Sequence, residues 1–153
     1  MSNPPAQTQP HGGPDPAGRR RLIEQAWAAA WDAGEVDALD ALLSPDYQRR
    51  TADSSQDLAS FKASILATRA AFPDLLTTID EIVVEADRAA VRWHSSGSHE
   101  HSFLGVPATR RRVEVSGATF ARFEGDRIVE EFVSWDPRSL LAALGIISVG
   151  QEY

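Results

Sequence analysis

Residues 111–135 read RRVEVSGATFARFEGDRIVEEFVSW, two runs rich in β-branched and aromatic residues on either side of a Glu124-Gly125-Asp126 turn signal. Side chains alternate across a strand, so each run has two faces and the more apolar one meets the core. In Arg111 to Phe123 that face is Val113, Val115, Gly117, Thr119, Ala121 and Phe123, against a set containing Glu114, Ser116 and Arg122. In Arg127 to Trp135 the odd set Val129, Glu131, Val133 and Trp135 opposes Ile128, Glu130, Phe132 and Ser134. Both of these sets are mixed, and the odd one is taken as inward.

Upstream, Thr77 to Ala86 and Ala89 to His99 read as two further strands about an Ala86-Asp87-Arg88 turn, the second turning Val91, Trp93, Ser95, Gly97 and His99 inward. Four antiparallel strands are therefore predicted. Helical spacing precedes them. Leu22, Ile23, Ala26, Trp27, Ala30 and Trp31 recur on one face of a helix from Arg19, stopped at Gly34. Val36, Leu39, Leu42 and Leu43 continue as a short helix ended by Ser44-Pro45, with Asp46 and Tyr47 where the chain turns. Asp57 to Phe72 is a third helix, presenting Leu58, Phe61, Ile65, Thr68 and Phe72, with Asp57 as first-turn acid and Pro73 as terminator. Leu140, Leu141 and Leu144 form a closing helix ended by Gly145. Helices followed by a meandering sheet are an α+β order, with the helices on one face.

The 153 residues suffice for one core, bounded here as a domain over 18–147. Residues 1–17 hold five of the nine prolines and read as a flexible tail, and 148–153 as a C-terminal tail. A net charge of -7 and a pI near 5.0 argue against nucleic acid and anionic lipid as partners. Three-arginine runs at Arg19 to Arg21 and Arg110 to Arg112 are too few for a phosphate-tracking surface. Without cysteine, thiolate nucleophiles, disulfides and cysteine-held metals are excluded. His99 and His101 share a strand face, with Glu131 as the carboxylate that would complete a metal site, but hydrogen-bonded surface histidines are the commoner meaning, and no metal is expected. Lys62, the single lysine, looks exposed on its helix, which removes Schiff-base chemistry. No apolar stretch approaches the ~20 residues a membrane span needs, and the polar N-terminus is unlike a signal peptide, so a cytoplasmic protein is expected.

Among side chains able to do chemistry, Glu131 stands out as a carboxyl between Val129, Val133 and Trp135. Burial without a cation raises a carboxyl pKa and lets the group exchange a proton near neutrality; a place at the open rim, or an arginine partner, is the alternative. Tyr47 is a candidate hydrogen-bond donor at a pocket mouth, or a cover for a helix end. His99 is a candidate base or carbonyl-orienting group, or is satisfied within its hairpin. Trp27, Trp31, Trp93 and Trp135 are many for this length; large aromatics line sites for flat or polycyclic ligands, and they also fill cores.

The series Phe72-Pro73-Asp74, Arg92-Trp93, Gly97-Ser98-His99 and Phe103-Leu104-Gly105-Val106-Pro107-Ala108-Thr109 resembles the SnoaL-like polyketide cyclases. Gly125-Asp126-Arg127-Ile128-Val129-Glu130-Glu131, then Asp136 with Leu140-Leu141-Ala142-Ala143-Leu144-Gly145, fit the same pattern. The likeness covers about Arg19 to Gly145; no single motif is specific, but the order and spacing are. It implies the cone-shaped fold of the nuclear transport factor two superfamily, with helices enclosing an apolar pocket and a homodimer formed through the sheet. It also implies intramolecular aldol ring closure without metal or cofactor, in which an aspartate moves protons and a histidine and a glutamine help to bind substrate. Val133 stands at the aspartate position, Thr119 at the histidine and Gly117 at the glutamine. Asp136 matches a further acidic position and is also placed to cap the closing helix through Asp136-Pro137.

Valine transfers no proton, so the resemblance implies a changed mechanism. Glu131, two residues earlier and roughly 7 Å away by strand rise, is the candidate replacement, with Tyr47, His99 and Asp136 as the other catalytic candidates. Trp31, placed by the resemblance at the cavity, heads the expected substrate contacts, with Trp27, Phe72, Trp93, Leu104, Thr119, Val133 and Trp135. The expected activity is a cofactor-independent cyclase or isomerase of secondary metabolism on a polyketide-like hydrophobic molecule, by acid-base assistance or by folding the substrate. The alternatives are a binding protein that has discarded chemistry, and an epoxide hydrolase or dehydratase.

Overall fold

Residues 15–148 are described by a computed structural model, and their sheet has six strands where the alternation predicts four. Helix α1 (Pro16–Trp27) runs into a widened π-helical turn at Ala28–Asp32, and a 3-10 segment follows at Val36–Ala41. Then come β1 (Leu43–Arg50), β2 (Ser55–Asp57) and helix α2 (Leu58–Ala71). Strands β3 (Leu76–Glu85), β4 (Arg88–Ser98), β5 (Arg112–Glu124) and β6 (Arg127–Trp135) precede helix α3 (Pro137–Ala143). The sheet order is β2-β1-β6-β5-β4-β3, antiparallel except where β1 lies parallel to β6.

The four predicted strands form within a residue or so of their expected limits. The upstream reading needs three corrections. Asp15 accepts the Gly18 N–H and Pro16 opens α1, so the helix begins inside the segment expected as a tail; the rest of that segment, 1–14, and residues 149–153 of the C-terminal tail lie outside the described residues. Leu43 to Arg50 is a strand and not the end of a helix. Tyr47 is consequently a fully buried strand residue and not a turn residue.

The inward faces of β4 and β5 are the odd sets, as the alternation requires. In β6 the odd set holds from Glu131 onward. A register shift beside Phe123 leaves Ile128 facing inward in place of Val129. Against these faces α1 lays Ile23 and Ala26, the π-helical turn after it lays Ala30, and α2 lays Phe61 and Ile65, which with Val91, Ala121, Phe123 and Val133 are part of the main core. Each large apolar side chain so buried stabilises the fold by roughly 1.5–3 kcal/mol. Toward the other end Phe72, Leu75, Val113 and Leu144 form a second cluster, and Trp31 packs against both. Arg19 fastens the narrow end: its guanidinium donates to the carbonyls of Ala86 and Gly125, one in each hairpin turn, and lies over the Phe123 ring.

Lys62, expected to be exposed, is half-buried, with its ammonium held 2.9 Å from Asp37 and 2.7 Å from Asp40. On the sheet's other side Val83, Phe120 and Phe132 are each more than half exposed. No helix among the described residues is long and apolar enough to cross a membrane.

Candidate active site

β1 carries Tyr47 and Arg49 on one face, beneath α2, and β6 runs parallel beside it with Arg49 and Glu131 as register partners. This brings the Tyr47 hydroxyl to Glu131, and the O–H donates to Oε1 of a carboxyl that is 3% exposed. Phe61 of α2 roofs the pair: its centroid is 5.8 Å from that of Tyr47, and the Arg49 Cζ stands 4.5 Å from the same ring.

Burial dominates the electrostatics. It raises the Glu131 pKa above the ordinary carboxylate range, against the opposing pull of the Arg49 charge and the Tyr47 hydrogen bond. It also raises the Tyr47 phenol far above its usual value, reinforced by the neighbouring Glu131 charge, so Tyr47 is a neutral donor throughout the physiological range. A carboxyl held toward its protonated form beside a fixed donor is suited to giving and retaking a proton.

Further along the inner face the indole of Trp93 crosses β5. Its Nε1–H donates to Thr119 Oγ1 at 3.1 Å, and Thr119 is itself buried. Gly117 is the residue that allows this: a Cβ there would stand 2.6 Å from Trp93 Cζ2, 2.7 Å from the Ser134 carbonyl and 2.9 Å from Trp135 Cβ. Val133, opposite Thr119, is buried as well, and Trp135, opposite Gly117, is half-buried.

His99 is buried at the far end of β4. The Thr109 N–H donates to Nδ1 at 3.2 Å, Thr109 Oγ1 is 3.0 Å from the same nitrogen, and the ring stacks on Phe72. Nδ1 therefore presents its lone pair, the ring proton sits on Nε2, and Nε2 has no partner among the described residues. His99 is not brought to Glu131. Glu131 lies opposite Ala121 while His99 bonds at the level of Arg111, which puts them roughly 33 Å apart along β5 at ~3.3 Å per residue. The metal set His99, His101 and Glu131 fails for the same reason, and among the described residues no three His, Asp or Glu side chains gather as ligands would.

Two other expected site residues are corrected. Leu104 is 86% exposed at the tip of a tight turn and lines nothing. Asp136 is exposed and accepts the Arg138 N–H at 2.9 Å, capping α3. Trp27 is half-buried, packed against the edge of the main core and lining a surface groove of about 370 Å³ between α1 and β3. Trp31, also half-buried, meets Phe61 edge-on at 6.0 Å. Arg49 is the residue that sequence reasoning missed. The signal was its i, i+2 spacing from Tyr47, which has meaning only once Leu43 to Arg50 is read as a strand.

A family model, described as SnoaL-like polyketide cyclase, matches residues 21–144. The chain belongs to the SnoaL-like polyketide cyclase family. Solved structures agree. AclR from Streptomyces galilaeus, provisionally described as a hydroxylase, is 28% identical at a TM-score of 0.78, covering 88% of this chain and 100% of that one. TsrD from Streptomyces laurentii is 28% identical at 0.80, with coverage of 88% and 99%. IdmH from Streptomyces antibioticus, provisionally described as a polyketide cyclase, is 28% identical at 0.71, with coverage of 83% and 98%. No curated protein matches the chain by sequence.

Within this SnoaL-like chain the motifs that carry the likeness are mostly joints of the scaffold. The Ser98 N–H donates to Asp74 Oδ1 at 2.7 Å, and a Cβ on Gly97 would stand 3.2 Å from Phe72 Cβ, so Phe72-Pro73-Asp74 and Gly97-Ser98 dock the end of α2 onto β4. The three positions expected to bear the family's aspartate, histidine and glutamine hold Val133, Thr119 and Gly117, and the indole of Trp93 lies across the latter two.

Proposed function

We propose that this SnoaL-like protein is a cofactor-independent cyclase or isomerase acting on a polyketide-like hydrophobic molecule, with Glu131 as its proton-transfer group and Tyr47 as the donor that positions it. The buried Tyr47 to Glu131 hydrogen bond carries this reading, because it puts an acid-base group on the inner face of a cone whose usual aspartate position is a valine. Ring closure by internal addition needs no net proton: as the attacking atom bonds to one end of a C=O or C=C, that π bond breaks, its electron pair moves to the other end, and the Glu131 carboxyl protonates that atom. The attacking group then returns its own proton to the carboxylate, and substrate and product are isomers. The working form is a homodimer through the outer sheet face, supported by the exposed Val83, Phe120 and Phe132 on it.

The test is conversion of the open-chain precursor that accumulates when the gene is deleted in its host. Purified protein without added metal or cofactor should consume it, and Glu131→Gln should slow that step about 10²- to 10⁴-fold. Turnover unaffected by Glu131→Gln removes the proposed role.

A second reading, a binding protein without chemistry, is favoured by one observation. The Trp93 indole N–H is spent on Thr119 directly above Gly117, so at the positions where relatives are expected to carry polar side chains this chain offers aromatic surface. Tight binding of the precursor with no conversion by wild-type protein would select it.

A further inference from the structure

β1 and β6 place arginine against glutamate twice, once on each side of the sheet, with different results. On the outer side the Arg50 Nε donates to Glu130 Oε2 at 3.0 Å, an ordinary partly exposed ion pair. On the inner side Arg49 and Glu131 are direct register partners, yet among the described residues Arg49 has no carboxylate within 4.0 Å. The inner pair stays open because Glu131 Oε1 is taken by the Tyr47 hydroxyl while the guanidinium lies over Phe61. Burial further holds Glu131 toward its neutral form, which makes it a poor counterion.

An arginine is charged at every accessible pH and offers five donors in a planar fork. Half-buried, with one face on an aromatic ring and among the described residues no carboxylate within ion-pair distance, Arg49 interacts with the Tyr47 hydroxyl and pulls on the Glu131 charge, yet its own charge is left without a counterion in contact. Charge left uncompensated in a partly desolvated place costs stability, and a bound anion would remove that cost. A flat guanidinium matches a planar oxyanion with two oxygens.

We infer that Arg49 is the recognition point for a planar oxyanion on the substrate, a carboxylate or the enolate of a 1,3-dicarbonyl, and so selects anionic molecules over their neutral analogues. The inference rests on the Tyr47 to Glu131 pair marking where substrate reacts, and it concerns recognition rather than turnover. An anion seated there lies next to Glu131, which would place the acid within reach of the conjugated system that the oxyanion terminates.

Binding of two probes separates this from a purely structural role for Arg49. Anthraquinone-2-carboxylate and its methyl ester share a ring system and differ in charge, and quenching of the fluorescence of the four tryptophans, among them Trp31 edge-on to Phe61 at 6.0 Å, supplies the signal. Wild-type protein is expected to bind the carboxylate at least about tenfold tighter than the ester, with salt weakening only the former. Arg49→Gln is expected to lose that preference while binding the ester within about twofold of wild type, and Arg49→Lys to keep part of it. Glu131→Gln should retain the preference, so failure of the acid-base role and failure of anion recognition give different results. Equal affinity of wild type for both probes, binding of neither, or a preference that survives in Arg49→Gln would overturn the inference. Should Arg49→Gln not fold, the Arg49→Lys preference and the wild-type salt dependence decide, and absence of both overturns it.

Discussion

The Tyr47 hydroxyl donates to Glu131 Oε1 across 84 residues of sequence, joining β1 to β6 with a buried hydrogen bond. Among the described residues the carboxyl has this single donor, where a solvated one would have several. Its charge is opposed by burial and only partly supported by Arg49, so the acid-base role proposed for Glu131 sets chemistry against stability at one residue.

Stability should therefore depend on pH through Glu131. Its folded pKa is raised, so the folded state holds the proton more tightly than the unfolded chain does. That contribution is fully present below the unfolded value and is lost as pH rises through the raised folded one. Glu131→Gln stays neutral and still accepts the Tyr47 O–H. Thermal melts should give the variant the higher Tm at pH 8, with a gap that closes toward pH 4; each 1 kcal/mol recovered shifts Tm by roughly 3–5 °C. A gap independent of pH, or a lower Tm at pH 8, contradicts the argument.

Tyr47→Phe isolates the donor, since the ring keeps its contact with Phe61 while the carboxyl loses the hydrogen bond from the Tyr47 hydroxyl. The expected cost is about 1–3 kcal/mol, larger at pH 8 than at pH 4 because the ionised carboxyl needs the donor most. Chemical denaturation at the two pH values measures it. Turnover should fall with the positioning of Glu131.

The sheet from Leu76 to Trp135 was legible because its strands are rich in β-branched and aromatic residues, are separated by turn signals and pair with the next strand along the chain, with the clearest alternation in β5. β1 was hidden for the opposite reasons. Leu43 to Arg50 contains Pro45, Asp46 and two arginines, its buried residues Leu43 and Tyr47 show no two-residue period, and its main partner is parallel and some eighty residues away. β2 spans only Ser55–Asp57, too short for any pattern. The site was half legible in consequence. Glu131 could be read from β6 alone, but its contact with Tyr47 and the place of Arg49 depend on β1. His99 looked like a companion because its face was right; its level along the sheet comes only from the register.

Gly117 tests how tightly Trp93 is held. Gly117→Ala drives a methyl against Trp93 Cζ2 at 2.6 Å and the Ser134 carbonyl at 2.7 Å, an overpacking expected to cost about 1–3 kcal/mol. Trp93→Phe shortens the ring and removes the first clash only, since the second is with backbone. The double variant should thus recover part of the loss in a denaturation cycle. Full additivity of the two single changes would mean that Trp93 does not rest on Gly117.

The proposed homodimer is tested at the outer face. Phe120 and Phe132 are opposite one another on β5 and β6, Ala90 is opposite Phe120 on β4, and Val83 is opposite Ala90 on β3, so one apolar row crosses four strands. A recess of about 310 Å³ lies along it, flanked by Arg88, Arg122, Glu85 and Glu130. A row at one level crossing four strands, edged by both charge signs, suits a second copy packed face to face, each arginine meeting a glutamate of the other. Wild-type protein should sediment as a dimer. Phe120→Glu puts a carboxylate into the middle of that row in both copies and should shift the species to monomer at micromolar concentration, with little loss of monomer fold because the residue is already more than half exposed. Wild-type protein that sediments as a monomer, or a Phe120→Glu dimer as tight as wild type, rules out this face as the interface.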